Sequence, residues 1–360
     1  MERWMKRLTR LACQLFLGKA GKVPFDIGRV HKVLILRNDK IGDMIVSTPL
    51  FRELKKAHPG IVIDVVASSV NRQIIAANPH VDDIIVWDKR GALNDAAVIR
   101  SIRRRRYDVI FNTQNIFSFA FLLRMKLLGA RHLFGFNVAK YGTSTAQLGM
   151  FDYTVDCVRS APILDSYFSA LAPFALTGID HRYELFGVDA HATRALEFFV
   201  PLRPLYRGFI CFNYQGSHAT RTLHDDDIQA LCVALAERYP SRAVVLIHPP
   251  GGREHARAMI DAVARTNVVL AVETANVLEL AALIKECELV LSPDTAVIHL
   301  ASAYNKKIVG FYINTDNYRW FYPASDQDNY RVQLAPRQEI GRIDIAATMA
   351  DVDVLLAIRS

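Results

Sequence analysis

Cysteine is scarce in this chain: five in 360 residues, at Cys13, Cys157, Cys211, Cys232 and Cys287, with no CxxC pair. An odd, scattered set argues against a disulfide framework or a zinc knuckle and reads as reduced cytosolic thiols. Long apolar runs are missing too; none reaches the roughly 18–20 residues that a spanning helix needs. No GxGxxG follows the first apolar strand, which disfavours a dinucleotide cofactor, and no GxxxxGK[ST] occurs, which argues against a P-loop NTPase. The histidines are badly spaced for a metal: His218 with His224, and His248 with His255, lack i,i+4 spacing and a completing Cys or Asp. No RRM, KH or helix-turn-helix pattern appears, and no aromatics interleave with Arg103–Arg106. That run reads as a solvated helix end, and no nucleic-acid partner is expected.

What is present is basic charge and α/β alternation. Lys and Arg number 44 against 36 Asp and Glu, a net charge of +8. Such a balance suits acidic partners: a nucleotide, a phosphorylated glycolipid or an anionic membrane. In residues 1–27, Trp4, Leu8, Leu11 and Leu15 recur at helical spacing, with Arg3, Lys6, Arg7 and Arg10 largely elsewhere on the wheel. Charge mixed into the apolar stretch and the lack of a clean A-x-A site argue against a signal peptide. The segment reads either as an amphipathic helix on an anionic inner-membrane face or as a helix packed on the first domain.

After Gly28, strands and helices alternate: strand His31–Arg37, helix Asp43–Ala57 with Pro49 set to kink or shorten it, strand Ile61–Ala67 and helix Asn71–Ala77. Strand Ile84–Trp87, helix Ala92–Arg105, strand Val109–Asn112 and helix Phe117–Leu128 follow. Residues 152–200 read as mostly helical. Pro201–Gly208 reads as a junction, and five further strands alternate with helices before a closing helix, Asp344–Ile358. Uninterrupted apolar strands between helices mean parallel sheets covered on both faces. The expectation is α/β: two doubly wound Rossmann-like domains, 28–200 and 201–360, facing across a cleft, with ligands beyond the carboxyl ends of the strands.

Four loops at such ends carry polar chemistry. In Asn38–Asp43, the Asp43 carboxylate reads either as a helix N-cap or as a base accepting a hydroxyl proton. In Ser292–Thr295, the N–H groups of Thr295, Ala296 and Val297 head a helix and suit a diphosphate; the alternative is simple capping, with His299 a buried helix residue. Gly216–Arg221 offers Thr220 and a cation that is either suited to phosphate or simply solvated in a surface loop. Pro249–Gly252 precedes Glu254, placed either for ribose hydroxyls or for the helix dipole.

The stretches VLILRNDKIGDMIVSTPLFRELKKAHPGIVIDVV and VLSPDTAVIHLASAYNKKIVGFY resemble glycosyltransferase family 9, the ADP-heptose:lipopolysaccharide heptosyltransferases; RRRRYDVIFNTQN and GARHLFGF are weaker echoes. The resemblance implies a GT-B fold and an inverting, metal-independent transfer needing no cofactor beyond an ADP-heptose-type donor. It implies Asp43 as general base. Thr220, Arg221, Glu254, Asp294, Thr295, Ala296, Val297 and His299 would lie around the donor, and Asn38, Lys40 and Gln114 around a phosphorylated glycolipid acceptor. A cytoplasmic enzyme, peripheral on the inner membrane, follows. Ala296 stands where the family has Gly, Asn112 where an Asp is frequent, and Thr-Leu-His follows Arg221 in place of Lys-x-Trp-Pro. Another nucleotide sugar, or a non-catalytic nucleotide-sugar-binding scaffold, is the alternative.

Overall fold

A computed structural model describes residues 24–88, 92–140, 143–315, 318–335 and 339–357. The amphipathic segment expected over 1–27 lies, up to residue 23, outside the described residues. The chain divides into two compact units, residues 1–180 and 181–360.

The first unit holds a six-stranded parallel sheet built from β1 (Lys32–Leu36), β2 (Val62–Ala67), β3 (Asp83–Val86), β4 (Val109–Asn112) and β5 (His132–Phe136). After an antiparallel ribbon of β6 (Ala139–Lys140) and β7 (Thr143–Ser144), β8 (Tyr153–Val155) closes it in the order β3-β2-β1-β4-β5-β8. Val33, Leu34 and Ile35 of β1 are wholly buried, as a strand covered on both faces requires. β1 runs straight into helix Ile41–Ala57, which Pro49 does not shorten. Proline cannot donate to the carbonyl four residues back, and the Thr48 hydroxyl donates to that Ile45 carbonyl instead, at 2.8 Å.

The second unit repeats the plan with β9 (Gly208–Asn213), β10 (Arg242–Ile247), β11 (Val268–Leu270), β12 (Leu289–Pro293), β13 (Lys307–Ile313) and β14 (Tyr330–Ala335), all parallel, in the order β11-β10-β9-β12-β13-β14. Each sheet therefore has a switch point, β1 beside β4 and β9 beside β12, where the winding reverses and the loops part to leave room for a ligand.

Several sequence expectations change. Asn71–Ile74 forms only a 3-10 turn. The stretch read as helical from 152 contains β8, a half-buried edge strand without the apolar run that marks a central one. Edge strand β14 alternates polar and apolar residues and escapes the same reading. Residues 181–200 belong with the second unit rather than ending the first. Lys285 pairs with Asp189 at 2.7 Å, and the Phe199 and Phe209 rings stack 4.5 Å apart. Arg105 is only partly solvated; it bridges Asp64 of β2, at 3.1 Å, and Asp83 of β3, while Arg103, Arg104 and Arg106 are exposed as expected.

Candidate active site

At the first switch point an arginine is buried where a strand ends. Arg37, 1% exposed, directly follows β1. Its Nε donates to Ser47 Oγ at 3.0 Å and its Nη1 to Asp39 at 2.9 Å and Asp43 at 3.4 Å. Its Nη2 donates to the Thr113 carbonyl and to the Tyr167 hydroxyl, and its guanidinium lies 4.9 Å over the Tyr167 ring. Burial works against this charge, but Tyr167, Asp39 and Asp43 outweigh it and hold Arg37 protonated.

Asp43 is the third residue of its helix. Lys40 occupies the N-cap position without a side-chain cap bond, so capping does not explain the carboxylate. Its side chain is 17% exposed. Burial pushes its pKa up to about 6; Arg37 and Lys40 pull it down and Asp39 pushes it up. Asn38 donates to the Trp87 carbonyl at 2.8 Å and accepts from the Gln114 amide at 2.9 Å, while Lys40 is exposed. The structure thus brings Asn38, Lys40, Asp43 and Gln114 to one sheet end.

At the second switch point, Thr295 caps helix Ala296–Ala303 and its hydroxyl accepts from Val297 N–H at 3.3 Å. Asn213, at the end of β9, donates to Ser292 Oγ at 2.9 Å and Thr295 Oγ1 at 3.3 Å, joining the two switch strands. Arg221 pairs with Asp294 at 2.6 Å, and both remain partly open to solvent. Gly216 fixes this loop: a Cβ there would lie 2.4 Å from the Arg221 backbone. Thr220 is exposed, and its carbonyl accepts from Ile340 N–H at 2.9 Å. His299 is buried between the Tyr183 and Phe321 rings, its Nδ1 without a hydrogen-bond partner; burial lowers its pKa to about 4 and keeps it neutral.

Glu254 stands apart. It is exposed in the first turn of helix Arg253–Val263, and no hydrogen bond among the described residues ties it to Arg221, Asp294 or Thr295. The same holds for metals: no group of three or more His, Cys, Asp or Glu able to hold one occurs among the described residues. Sequence reading passed over Arg37, Asp39, Ser47, Tyr167, Asn213 and Ser292. Arg37 had a signal, a charged residue closing the apolar run VLIL. Tyr167 had none, since it reaches Arg37 from 130 residues away.

The sequence pattern of glycosyltransferase family 9 (heptosyltransferase) matches residues 96–346. The chain belongs to that family. It is a glycosyltransferase of the heptosyltransferase type. It is 24% identical to lipopolysaccharide heptosyltransferase 3 of Escherichia coli, over 78% of this chain and 82% of that one. Its fold is similar to that of a family 9 glycosyltransferase of Veillonella parvula, at a TM-score of 0.73 and 16% identity, covering 91% of this chain and 98% of the other. Against E. coli heptosyltransferase WaaC, solved with ADP, the TM-score is 0.67 at 17% identity, covering 91% of this chain and all of that one. The GT-B expectation of two Rossmann-like domains stands. No helix among the described residues is long and apolar enough to cross a membrane.

Proposed function

We propose that this glycosyltransferase moves a heptose from ADP-heptose to a hydroxyl of a phosphorylated lipopolysaccharide-type acceptor, with inversion and without a metal, at the cytoplasmic face of the inner membrane. The family description, the curated heptosyltransferase and the relative solved with ADP support this donor class. The acceptor oxygen attacks the anomeric carbon as the bond from that carbon to the diphosphate breaks. Asp43 takes the hydroxyl proton, and the charge that grows on the leaving diphosphate meets the N–H groups heading helix Ala296–Ala303. Arg221 turns from Asp294 to the phosphates, a step that costs little for a partly exposed pair. Asn38, Lys40 and Gln114 hold the acceptor beside Asp43. Glu254 takes the ribose if its loop bends inward on binding.

One observation carries the reading. Asp43 is half-buried beside a fixed cation, and burial pushes its pKa up to about 6, so it is ionised at neutral pH yet closer to a hydroxyl in basicity than an ordinary Asp. The test is Asp43→Asn, measured by transfer from ADP-heptose and by calorimetry with ADP. Turnover falls by about 10²-fold or more while ADP binding is kept. Unchanged turnover removes Asp43 as base, and a preference for UDP-sugars in a donor panel removes the ADP-heptose assignment.

A further inference from the structure

Helix Phe119–Leu128 reads FAFLLRMKLL, with Arg124 and Lys126 its charged residues. A helix apolar on nearly every side is ordinarily covered on every side. This one is covered on one side only. Leu122, Met125 and Leu128 enter the core and half-buried Leu123 packs partly against it, whereas Phe119 is 36% and Leu127 41% exposed and Ala120 is open. At about 100° per residue, Phe119, Leu123, Leu127 and Ala120 share one arc, with Lys126 and Arg124 at its two borders. Ile116, also 41% exposed, lies three residues before the helix.

Charge around this stripe is predominantly basic. From Val109 to Arg131 the sequence has no Asp or Glu. The neighbouring helix Ala92–Arg104, packed against this one, presents Arg100, Arg103 and Arg104 to solvent, with no ion pair to any of them among the described residues. The methylenes of Arg103 lie against Gly129, at the end of the apolar helix. Arg124 differs, being matched by Asp95 at 2.7 Å.

We propose that this face rests on an anionic phospholipid bilayer. Ile116, Phe119, Leu123 and Leu127 enter the boundary between headgroups and acyl chains, and Arg100, Arg103 and Arg104 meet the lipid phosphates, as an interfacial helix with a basic flank does. An identical face from a second copy would set these arginines against one another. The stripe also starts beside the candidate site: Gln114, whose amide donates to Asn38, lies two residues before Ile116. Bilayer contact here brings the carboxyl end of β4 to the membrane. The use of that placement rests on the glycolipid-acceptor reading above; the bilayer contact itself does not.

The test uses the full chain and sedimentation with vesicles of about three parts phosphatidylcholine to one part phosphatidylglycerol, against phosphatidylcholine alone. The protein sediments with the anionic vesicles, less so as salt rises. Phe119→Ser with Leu127→Ser, and separately Arg100→Glu with Arg104→Glu, each lower that partition by about tenfold or more, and turnover on a deacylated, water-soluble acceptor stays at the parent level. The arginine pair is exposed and keeps the test decisive if the apolar pair misfolds. Parent-level partition in both variants overturns the proposal. So does a change in sedimentation mass without a change in vesicle binding, which marks the face as a protein interface. Vesicle binding by a parent chain that transfers no heptose to the deacylated acceptor overturns the proposed donor and acceptor and leaves this inference standing.

Discussion

The two switch points use similar parts to different ends. Each has an Asn-x-Gln turn: Asn112 donates to the Gln114 carbonyl at 2.9 Å and accepts its N–H at 3.2 Å, and Asn213 does the same with Gln215, at 3.1 and 3.2 Å. The turns sit on non-equivalent strands, β4 in one unit and β9 in the other. In the first unit the polar groups centre on a buried ion, Arg37, and two carboxylates. In the second they centre on neutral hydroxyls and a helix N-terminus, with an ion pair, Arg221–Asp294, partly in solvent. A buried charge fixes a proton's affinity; an open helix end with a displaceable cation leaves donors free for an anion. That division suits a site that handles a proton and a site that handles a diphosphate.

Arg37 is where the contrast breaks most severely. Arg37→Met keeps the length but leaves Asp39 and Asp43 facing each other without their cation. Urea denaturation at pH 7.5 gives a loss of about 3–5 kcal/mol, the cost of unpairing a buried charge. The Asp43 titration seen in the pH–rate profile moves upward, because the cation that lowers it has gone. A loss below about 1 kcal/mol, the scale of an exposed pair, would mean the two switch points differ less than their geometry suggests.

The next effect is pH dependence of opposite sign in the two units. Asp43 is raised from 3.8 to about 6 in the folded chain. Its proton-linked stability is fully present below about 3.8 and is lost as pH rises through about 6. At about 1.4 kcal/mol per pH unit, Asp43→Asn is therefore up to about 3 kcal/mol more stable than the parent at pH 7.5, and the gain fades between pH 6 and 4. His299 is lowered from 6.5 to about 4. Its contribution is present above about 6.5 and is lost as pH falls through about 4. His299→Phe removes that acid-side loss, so melts between pH 7 and 4 show a shallower decline than the parent. Parallel pH profiles for parent and variant dismiss the corresponding residue as the source.

These predictions involve residues of unequal legibility. Asp43 and Thr295 were readable because each lies at a strand-to-helix turn, where the local pattern alone places it at a sheet's carboxyl end. Strands with long, continuous apolar runs were readable as strands; β5, whose HLFGF is broken by a glycine and opened by a histidine, and the half-covered edges β8 and β14 were not. Arg37 was visible but misweighted, since a charge after VLIL reads as a strand reaching water. Tyr167 and Asn213 act through side-chain bonds across the fold, and no local pattern announces those. Pro49 misled in the other direction: its helix-breaking tendency is real, but the adjacent Thr48 hydroxyl meets the carbonyl that proline leaves unserved.

A smaller effect separates the cap from the cation at the second switch point. Thr295→Ala removes an N-cap hydroxyl that also accepts from Asn213, and a loss of about 1 kcal/mol follows, read in urea. Arg221→Gln is the mildest change for folding and the sharper one for function. Its pair with Asp294 is partly solvated, so stability shifts by no more than about 1 kcal/mol. If Arg221 turns to phosphate as proposed, its removal leaves Asp294 unneutralised beside the diphosphate, and ADP affinity falls by about tenfold or more and weakens less steeply with salt than in the parent. If calorimetry finds ADP bound as tightly by Arg221→Gln as by the parent, the second switch point holds its anion by backbone N–H groups alone. The cation then serves only to keep Asp294 in place, and the contrast with Arg37 narrows to one of burial.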